Sequence, residues 1–151
     1  MREEKVTINL LKWLESQGWS IICHDFPQSG TGLMIHPNSN ANQNEKNKGG
    51  IIPDIIAVRN SEAAYFENKD RFVKSDFAKL KEIKLSGNYS EGLNDLLKKY
   101  GVTKINYGVG IPSLTKEIDK SKEHLDGIDF LVSADNDGNI IIHHDINRIF
   151  V

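Results

Sequence analysis

Two apolar runs joined by a short polar turn constrain the fold of this chain more than any other feature. The first run covers residues 51–58 and the second covers residues 63–68. The four residues between them, Arg59-Asn60-Ser61-Glu62, are typical of a tight turn, so the pattern predicts a buried β-hairpin. If the turn centres between Asn60 and Ser61, antiparallel partners have residue numbers that sum to 121.

Helical and extended patterns alternate around this hairpin. Apolar residues at helical spacing predict helices at 3–17, 75–85, 91–100 and 114–125, and extended apolar runs predict strands at 19–24, 105–111, 128–133 and 139–144. Ser75 is the predicted N-cap of the second helix. This mixed order predicts an α/β fold, with one central mixed sheet flanked by helices in a single domain that covers residues 1–151.

Composition narrows the class of protein. A chain of 151 residues buries a core without disulfides, and its single cysteine, Cys23, lies in an apolar run typical of a small buried hydrophobe. A protein that merely coats DNA would be far more basic than this chain, whose net charge is −2, so charge alone neither favours nor rules out a nucleic-acid partner. No apolar stretch approaches the roughly 20 residues of a membrane span, and the polar N-terminus is unlike a signal peptide. We therefore expect a cytoplasmic protein with no membrane association.

Three charged residues come together if the hairpin forms as predicted. The numbers of Asp54 and Glu67 sum to 121, so the two carboxylates would face each other with their Cβ atoms about 5 Å apart. Lys69 follows Glu67 by two residues and would project from the same face. Opposed carboxylates repel, and a cation between them removes the repulsion. Hard oxygen ligands suit Mg²⁺, for which Mn²⁺ is a possible substitute, whereas the Cys/His set of a zinc site is missing from the sequence.

These residues resemble a known motif. Pro53-Asp54, followed after an apolar strand by Glu67-Asn68-Lys69, resembles the PD-(D/E)xK nuclease superfamily, which includes type II restriction endonucleases, Holliday-junction resolvases and repair nucleases. The resemblance covers roughly residues 3–110 and implies a restriction-endonuclease-like fold. It also implies a Mg²⁺-dependent endodeoxyribonuclease, in the first place a type II restriction enzyme.

Three alternatives stay open at this point. A structure-selective DNA nuclease of the resolvase or repair kind would use the same residues. A non-catalytic member of the fold would only bind DNA or protein. In an unrelated globular protein, Asp54 would cap a turn, and the segment from Glu67 to Lys69 would form a surface edge.

The resemblance assigns a role to each motif residue. Asp54 and Glu67 would ligate the metal, and the backbone carbonyl of Asn68 would complete the protein ligands. Lys69 would orient or help to deprotonate the attacking water and stabilise charge on the phosphate. The metal would make that water more acidic and polarise the scissile phosphate, giving in-line hydrolysis.

Many members of this superfamily add a glutamate from the first helix. Here Glu3, Glu4 and Glu15 are the candidates, and Glu3 has the spacing from Val6 and Leu10 that could turn it towards the sheet. The alternative for Glu3 and Glu4 is that acidic side chains at a helix start favour the helix dipole.

DNA is the predicted partner. Backbone contacts could come from the basic residues around the motif, although some of these would only solvate a helix face: Arg59, Lys69, Arg71, Lys74, Lys79, Lys81 and Lys84. The Asn-rich segment 38–47 could read bases, or the long polar stretch 26–50 could be simply a mobile loop. Because one domain carries one cutting centre and double-strand cleavage needs two, we expect a homodimer.

Overall fold

One six-stranded mixed sheet organises the computed structural model, which describes residues 1–26, 32–38 and 49–151. The elements in chain order are α1 (Glu3–Ser16), β1 (Ser20–His24), β2 (Ile55–Arg59), β3 (Glu62–Asn68), α2 (Lys74–Ser86), α3 (Ser90–Leu97), a 3-10 turn (Lys98–Tyr100), β4 (Lys104–Pro112), α4 (Thr115–Lys122), β5 (Phe130–Ala134) and β6 (Ile140–Asp145).

The strands lie side by side in the order in which they occur in the chain. Strands β3, β4 and β5 are parallel, and the outer pairs β1–β2, β2–β3 and β5–β6 are antiparallel. Helices occupy both connections between the parallel strands, because a parallel crossover must carry the chain back along the sheet. The predicted fold class, an α/β domain with a central mixed sheet flanked by helices, is confirmed.

The predicted hairpin forms in the predicted register. Ile55 pairs with Phe66 and Arg59 pairs with Glu62, so partner numbers sum to 121 along the ladder. Asn60 and Ser61 at the turn both have positive φ, 51° and 66°. Two consecutive left-handed residues are characteristic of the type I′ turn, whose twist matches that of the flanking strands.

Helix α1 covers one face of the sheet. Its apolar stripe of Val6, Leu10 and Leu14 is fully buried, and it packs in one cluster with Phe66 of β3 and Phe130 of β5. The two phenylalanine rings lie 4.7 Å apart between their centroids. Burial of these side chains, at about 2 kcal/mol each, fixes the helix against the centre of the sheet.

Helices α2 and α3 cover the opposite face. Phe77, Leu80 and Ile83 of α2 lie in a second cluster with Tyr65 of β3 and Ile111 of β4. Because successive strand residues point to opposite faces, Tyr65 and Phe66 take part in different layers. Strand β3 is therefore buried on both sides, with α1 on one face and α2 on the other.

The structure corrects some predicted boundaries. Strand β2 begins at Ile55, later than the predicted run from residue 51, while Ile51 forms an isolated bridge with Ile35. Pro53 lacks the backbone donor that a continuous ladder would need. Ser75 is not the N-cap of α2: the helix begins at Lys74, and the preceding residue, Val73, makes no side-chain cap.

Cys23 is half-buried and packs against the cluster beneath α2 and α3. Burial raises the pKa of its thiol to about 11, so it stays protonated at neutral pH. Within the described part of the chain, none of the helices combines the length and apolar character needed to cross a bilayer.

The strained turn gives the first testable prediction. Ser61 has a φ of 66°, which costs a side-chain-bearing residue about 1 kcal/mol and costs glycine nothing. We expect Ser61→Gly to raise the free energy of unfolding in urea by about 0.5–1 kcal/mol. Ser61→Ala is the control, since alanine keeps the strain, and an equal gain in both variants would contradict the strain argument.

Candidate active site

Asp54 lies at the mouth of the hairpin, one residue before β2. Its Oδ2 accepts a hydrogen bond of 2.6 Å from the backbone N–H of Asn68, the last residue of β3. Its own N–H donates to the carbonyl of Phe66 at 3.1 Å. The carboxylate thus takes the place of a strand partner for Asn68, and it is held rigidly over the end of β3.

Burial and a like charge act together on Asp54. They raise the pKa of its carboxyl to about 8, first through desolvation and then through repulsion by Glu67, against the stabilising bond from Asn68. The shift means that the ionised pair is poorly compensated by the protein alone. The predicted register places Asp54 opposite Glu67, and the repulsion between the two carboxylates agrees with that expectation.

Glu67 is buried on the α2 side of the sheet, with 6% of its surface exposed. Its Oε1 lies 3.4 Å from the Nζ of Lys79 on α2, whereas its buried Oε2 has no hydrogen-bond partner among the residues described. Burial raises the pKa of Glu67, Lys79 opposes that rise, and the nearby carboxylate of Asp76 adds to it.

Lys69 follows the end of β3, and its Nζ pairs with Oε1 of Glu3 on α1 at 3.6 Å. Partial burial favours the neutral amine, but the carboxylates of Asp76, Glu3 and Glu67 outweigh it and raise the pKa of Lys69. Lys69 is therefore an ammonium ion at neutral pH. Of the two roles that the motif suggests, this favours stabilising negative charge over removing a proton from water.

The three glutamates of α1 have different environments. Glu3 is half-buried, pairs with Lys69 and contributes to the raised pKa of Asp54. Glu4 is exposed, and Glu15 is exposed near the far end of the 14-residue helix, roughly 18 Å away. The structure thus brings Glu3 to the candidate site and leaves the other two outside it.

Asn68 anchors α1 to this end of the sheet. Its Nδ2 donates to Oγ1 of Thr7 at 3.1 Å, and both residues are buried. Gly110 on β4 leaves room for the amide, because a Cβ there would lie 2.4 Å from Oδ1 of Asn68. Thr7 lies one turn after Glu3, so the bond from Asn68 also fixes where Glu3 is placed.

Sequence reasoning missed two residues of the site, both on α2. Asp76 is absent from the sequence-based predictions, yet it is 8% exposed, and its Oδ2 is another buried oxygen with no partner in the described ranges. The sequence predicts that Lys79 contacts DNA, but it pairs with Glu67. Their spacing of three residues puts Asp76 and Lys79 on one side of the helix, next to the apolar stripe. This spacing is the sequence feature that indicates their position near the sheet.

Several other residues predicted to contact DNA have intramolecular partners. Arg59 lies at the opposite end of β2 from the site and donates to the carbonyls of Gln17 and Ile149, at 2.8 and 2.5 Å. Lys81 pairs with Asp126, Lys84 with Asp129 and Arg71 with Asp70. Arg71 and Lys74 remain exposed beside the site.

The Asn-rich segment predicted to read bases lies outside the described residues except for Asn38. The side chain of Asn38 donates to the carbonyl of Gly87 at 3.0 Å and accepts from the backbone N–H of Glu91. It therefore links its loop to the start of α3, which is a structural role.

The carboxylates of Asp54 and Glu67 fit a hard divalent cation that takes few of its ligands from the protein. Nowhere in residues 1–26, 32–38 and 49–151 do three or more His, Cys, Asp or Glu side chains converge closely enough to hold a metal by themselves. Mg²⁺ uses one or two carboxylates and keeps most of its water, so Asp54 and Glu67 suffice for it. The unpartnered Oε2 of Glu67 and the raised pKa of Asp54 are the observations that favour such a cation.

Comparisons with known proteins leave the family open. No protein-family model matches the sequence, and no curated protein matches it. Among solved structures, it is similar to an XisH family protein from Nostoc punctiforme PCC 73102, with 16% identity, a TM-score of 0.43 and coverage of 91% of this chain and 96% of that chain. It is also similar to an fdxN element excision controlling factor protein from Anabaena variabilis, with 17% identity, a TM-score of 0.42 and coverage of 91% and 95%. Likenesses at this level do not identify a family or a function.

The buried carboxylate predicts how stability depends on pH. The pKa of Asp54 is raised from 3.8 to about 8, so the folded chain keeps a proton that the unfolded chain releases, and without metal stability falls as pH rises through this window. Asp54→Asn removes this loss and still accepts the bond from Asn68. We expect its Tm to match that of the wild type near pH 4 and to exceed it by about 10 °C or more near pH 8.5, measured by calorimetry in EDTA.

Asp119→Asn on the exposed side of α4 is the matched control, and its Tm should follow that of the wild type at every pH. A constant difference between Asp54→Asn and the wild type across the pH range would show that titration of Asp54 does not limit the stability.

Proposed function

We propose that this chain is a Mg²⁺-dependent endodeoxyribonuclease of the PD-(D/E)xK type with a restriction-endonuclease-like fold. The observation that carries the proposal is the pair of buried, electrostatically coupled carboxylates, Asp54 and Glu67, at the open end of the hairpin, with the Lys69 ammonium beside them. Folding alone would disfavour such a pair, because each buried carboxylate opposes ionisation of the other.

The charges around the site support a divalent cation. Four carboxylates here face three cationic groups, an excess of one. The residues are linked by ion pairs and electrostatic effects: Glu3, Asp54, Glu67 and Asp76 with Lys69, Lys79 and Arg71. One Mg²⁺ ion would offset this excess. The cation would be held by Asp54 and Glu67, with the Asn68 carbonyl as a third protein ligand.

Each side chain then has a defined part in phosphodiester hydrolysis. When bound, Mg²⁺ supplies the positive charge that acidifies a water molecule and polarises the scissile phosphate. Asp54, which accepts the bond from Asn68, and Glu67, which pairs with Lys79, would supply the carboxylate oxygens that hold it. Lys69, held as an ammonium ion, stabilises the negative charge that develops on the phosphate. Glu3 orients Lys69 through their ion pair.

DNA is the proposed substrate, and site-specific double-strand cleavage is the proposed form of the reaction. Arg71 and Lys74 are exposed in the segment that leads from the site into α2, where they can contact phosphates flanking the scissile bond. Most of the other basic side chains predicted to bind DNA have acidic partners within the chain, so the affinity for DNA would depend on few contacts and on the metal.

Plasmid digestion tests the catalytic proposal. We expect the wild type to cut supercoiled DNA in Mg²⁺ or Mn²⁺ and not in EDTA, and Lys69→Ala to lower the cleavage rate at least about 100-fold. Lys104→Ala at the far end of β4, where Lys104 bonds Asn147, is the control and should cut normally. Wild-type protein that binds DNA but leaves it intact under all metal conditions would instead indicate a non-catalytic member of the fold.

The form of the substrate separates the remaining possibilities. Discrete fragments from a linear duplex would support restriction-type cleavage, whereas selective cutting of four-way junctions or flaps would indicate a structure-selective nuclease. Because one chain carries one candidate centre, we also expect a dimer in light scattering, at least when DNA is bound. A monomer in both states would contradict the dimer.

A further inference from the structure

Lys79 reaches the candidate metal ligand Glu67 from a different element, helix α2. Its Nζ lies 3.4 Å from Oε1 of Glu67, and the side chain of Lys79 is 40% exposed while that of Glu67 is 8% exposed. The ion pair therefore connects a buried carboxylate with a lysine at the rim of the site. Removing the partner of a buried charge is much more costly than breaking a pair of exposed groups.

The two oxygens of Glu67 have different surroundings. Oε1 is taken by Lys79, while Oε2 is buried and makes no hydrogen bond to any residue that the structure describes. A buried acceptor without a partner is costly, so an atom in this state points to a ligand that completes it. Because Lys79 holds one oxygen, it also determines the direction in which the other one points.

Lys79 interacts with two carboxylates. Asp76, one turn earlier on α2, is buried and attracts Lys79 electrostatically, so the ammonium group interacts with a carboxylate on the sheet and another on its own helix. Lys69 also lowers the pKa of Glu67, but the ion pair that its ammonium group makes is with Glu3 of α1. Lys79 is therefore the lysine in direct contact with Glu67.

We propose that Lys79 is a positioning residue, which fixes Oε1 of Glu67 so that Oε2 is presented to the divalent cation. This inference rests on the proposed function, because it concerns the ligand geometry of the same site. Lys79 acts on the metal only through Glu67, and it contacts neither the phosphate nor the attacking water. The proposed role requires a positive charge at position 79 and does not require the exact shape of lysine.

Substitutions on α2 separate charge from packing. Lys79→Met keeps most of the apolar stem and removes the charge, so Glu67 loses its orientation. We expect the affinity for Mn²⁺ to fall about tenfold or more, which corresponds to about 1.4 kcal/mol. Lys79→Arg restores the charge and should bind Mn²⁺ within about threefold of the wild type. Lys81→Met, whose lysine pairs with the exposed Asp126, is the matched control on the same helix.

Isothermal titration of the full chain with Mn²⁺ measures these affinities without any need for catalysis, and circular dichroism verifies that each variant is folded. Lys79→Met binding as tightly as the wild type, or more tightly, would overturn the positioning role. So would a loss of more than about tenfold in Lys79→Arg, a variant that remains decisive even if Lys79→Met does not fold.

Two further measurements test the proposed function separately. Wild-type protein that binds no Mn²⁺ would contradict the proposed metal site and with it the role of Lys79. An Asp54→Ala variant that binds Mn²⁺ normally would do the same. Metal binding that requires Asp54 and not the charge at position 79 would leave the proposed function standing and reject only this inference.

Discussion

The hydrogen bond from the backbone N–H of Asn68 to the carboxylate of Asp54 is the interaction on which the candidate site depends. It joins the start of β2 to the end of β3 where the ladder itself stops, and it holds one carboxylate beside another, Glu67. The bond favours the ionised form of Asp54, against the burial and the charge of Glu67 that raise the pKa of its carboxyl. The hairpin therefore keeps an arrangement of like charges that would otherwise separate.

The burial of β3 on both faces explains how the site acquires residues from two helices. Phe66 and Asn68 point towards α1, and Tyr65 and Glu67 point towards α2. Each helix is fixed to the sheet by its own apolar stripe, so its polar residues arrive at the end of the strand in a defined position. Glu3 comes from one side and Lys79 from the other. This end of β3 is where all three layers meet.

The two ion pairs of the site involve carboxylates that differ in burial, and this difference matters for the chemistry. The ammonium group of Lys79 is paired with the buried Glu67, and that of Lys69 is paired with the more accessible Glu3. Carboxylates close to Lys69 raise its pKa, so it serves as a fixed positive charge. Oε2 of Glu67 is buried and has no hydrogen-bond partner in the described structure. The negative charge of Glu67 is therefore only partly balanced by the protein, at the position where the motif resemblance places a cation.

The sequence by itself determined the hairpin, its register, the helices that flank the sheet and the electrostatic effect of Glu67 on Asp54. These follow from local rules, because strand alternation and the spacing of turn residues fix which side chains oppose each other. Only the tertiary structure decided that Lys69 pairs with Glu3 and that Lys79 pairs with Glu67. It also decided that Arg59 lies at the end of β2 opposite the site, where it bonds the carbonyl of Ile149. Those contacts join residues distant in sequence or reached by long, flexible side chains, and the packing of helices on the sheet alone selects them.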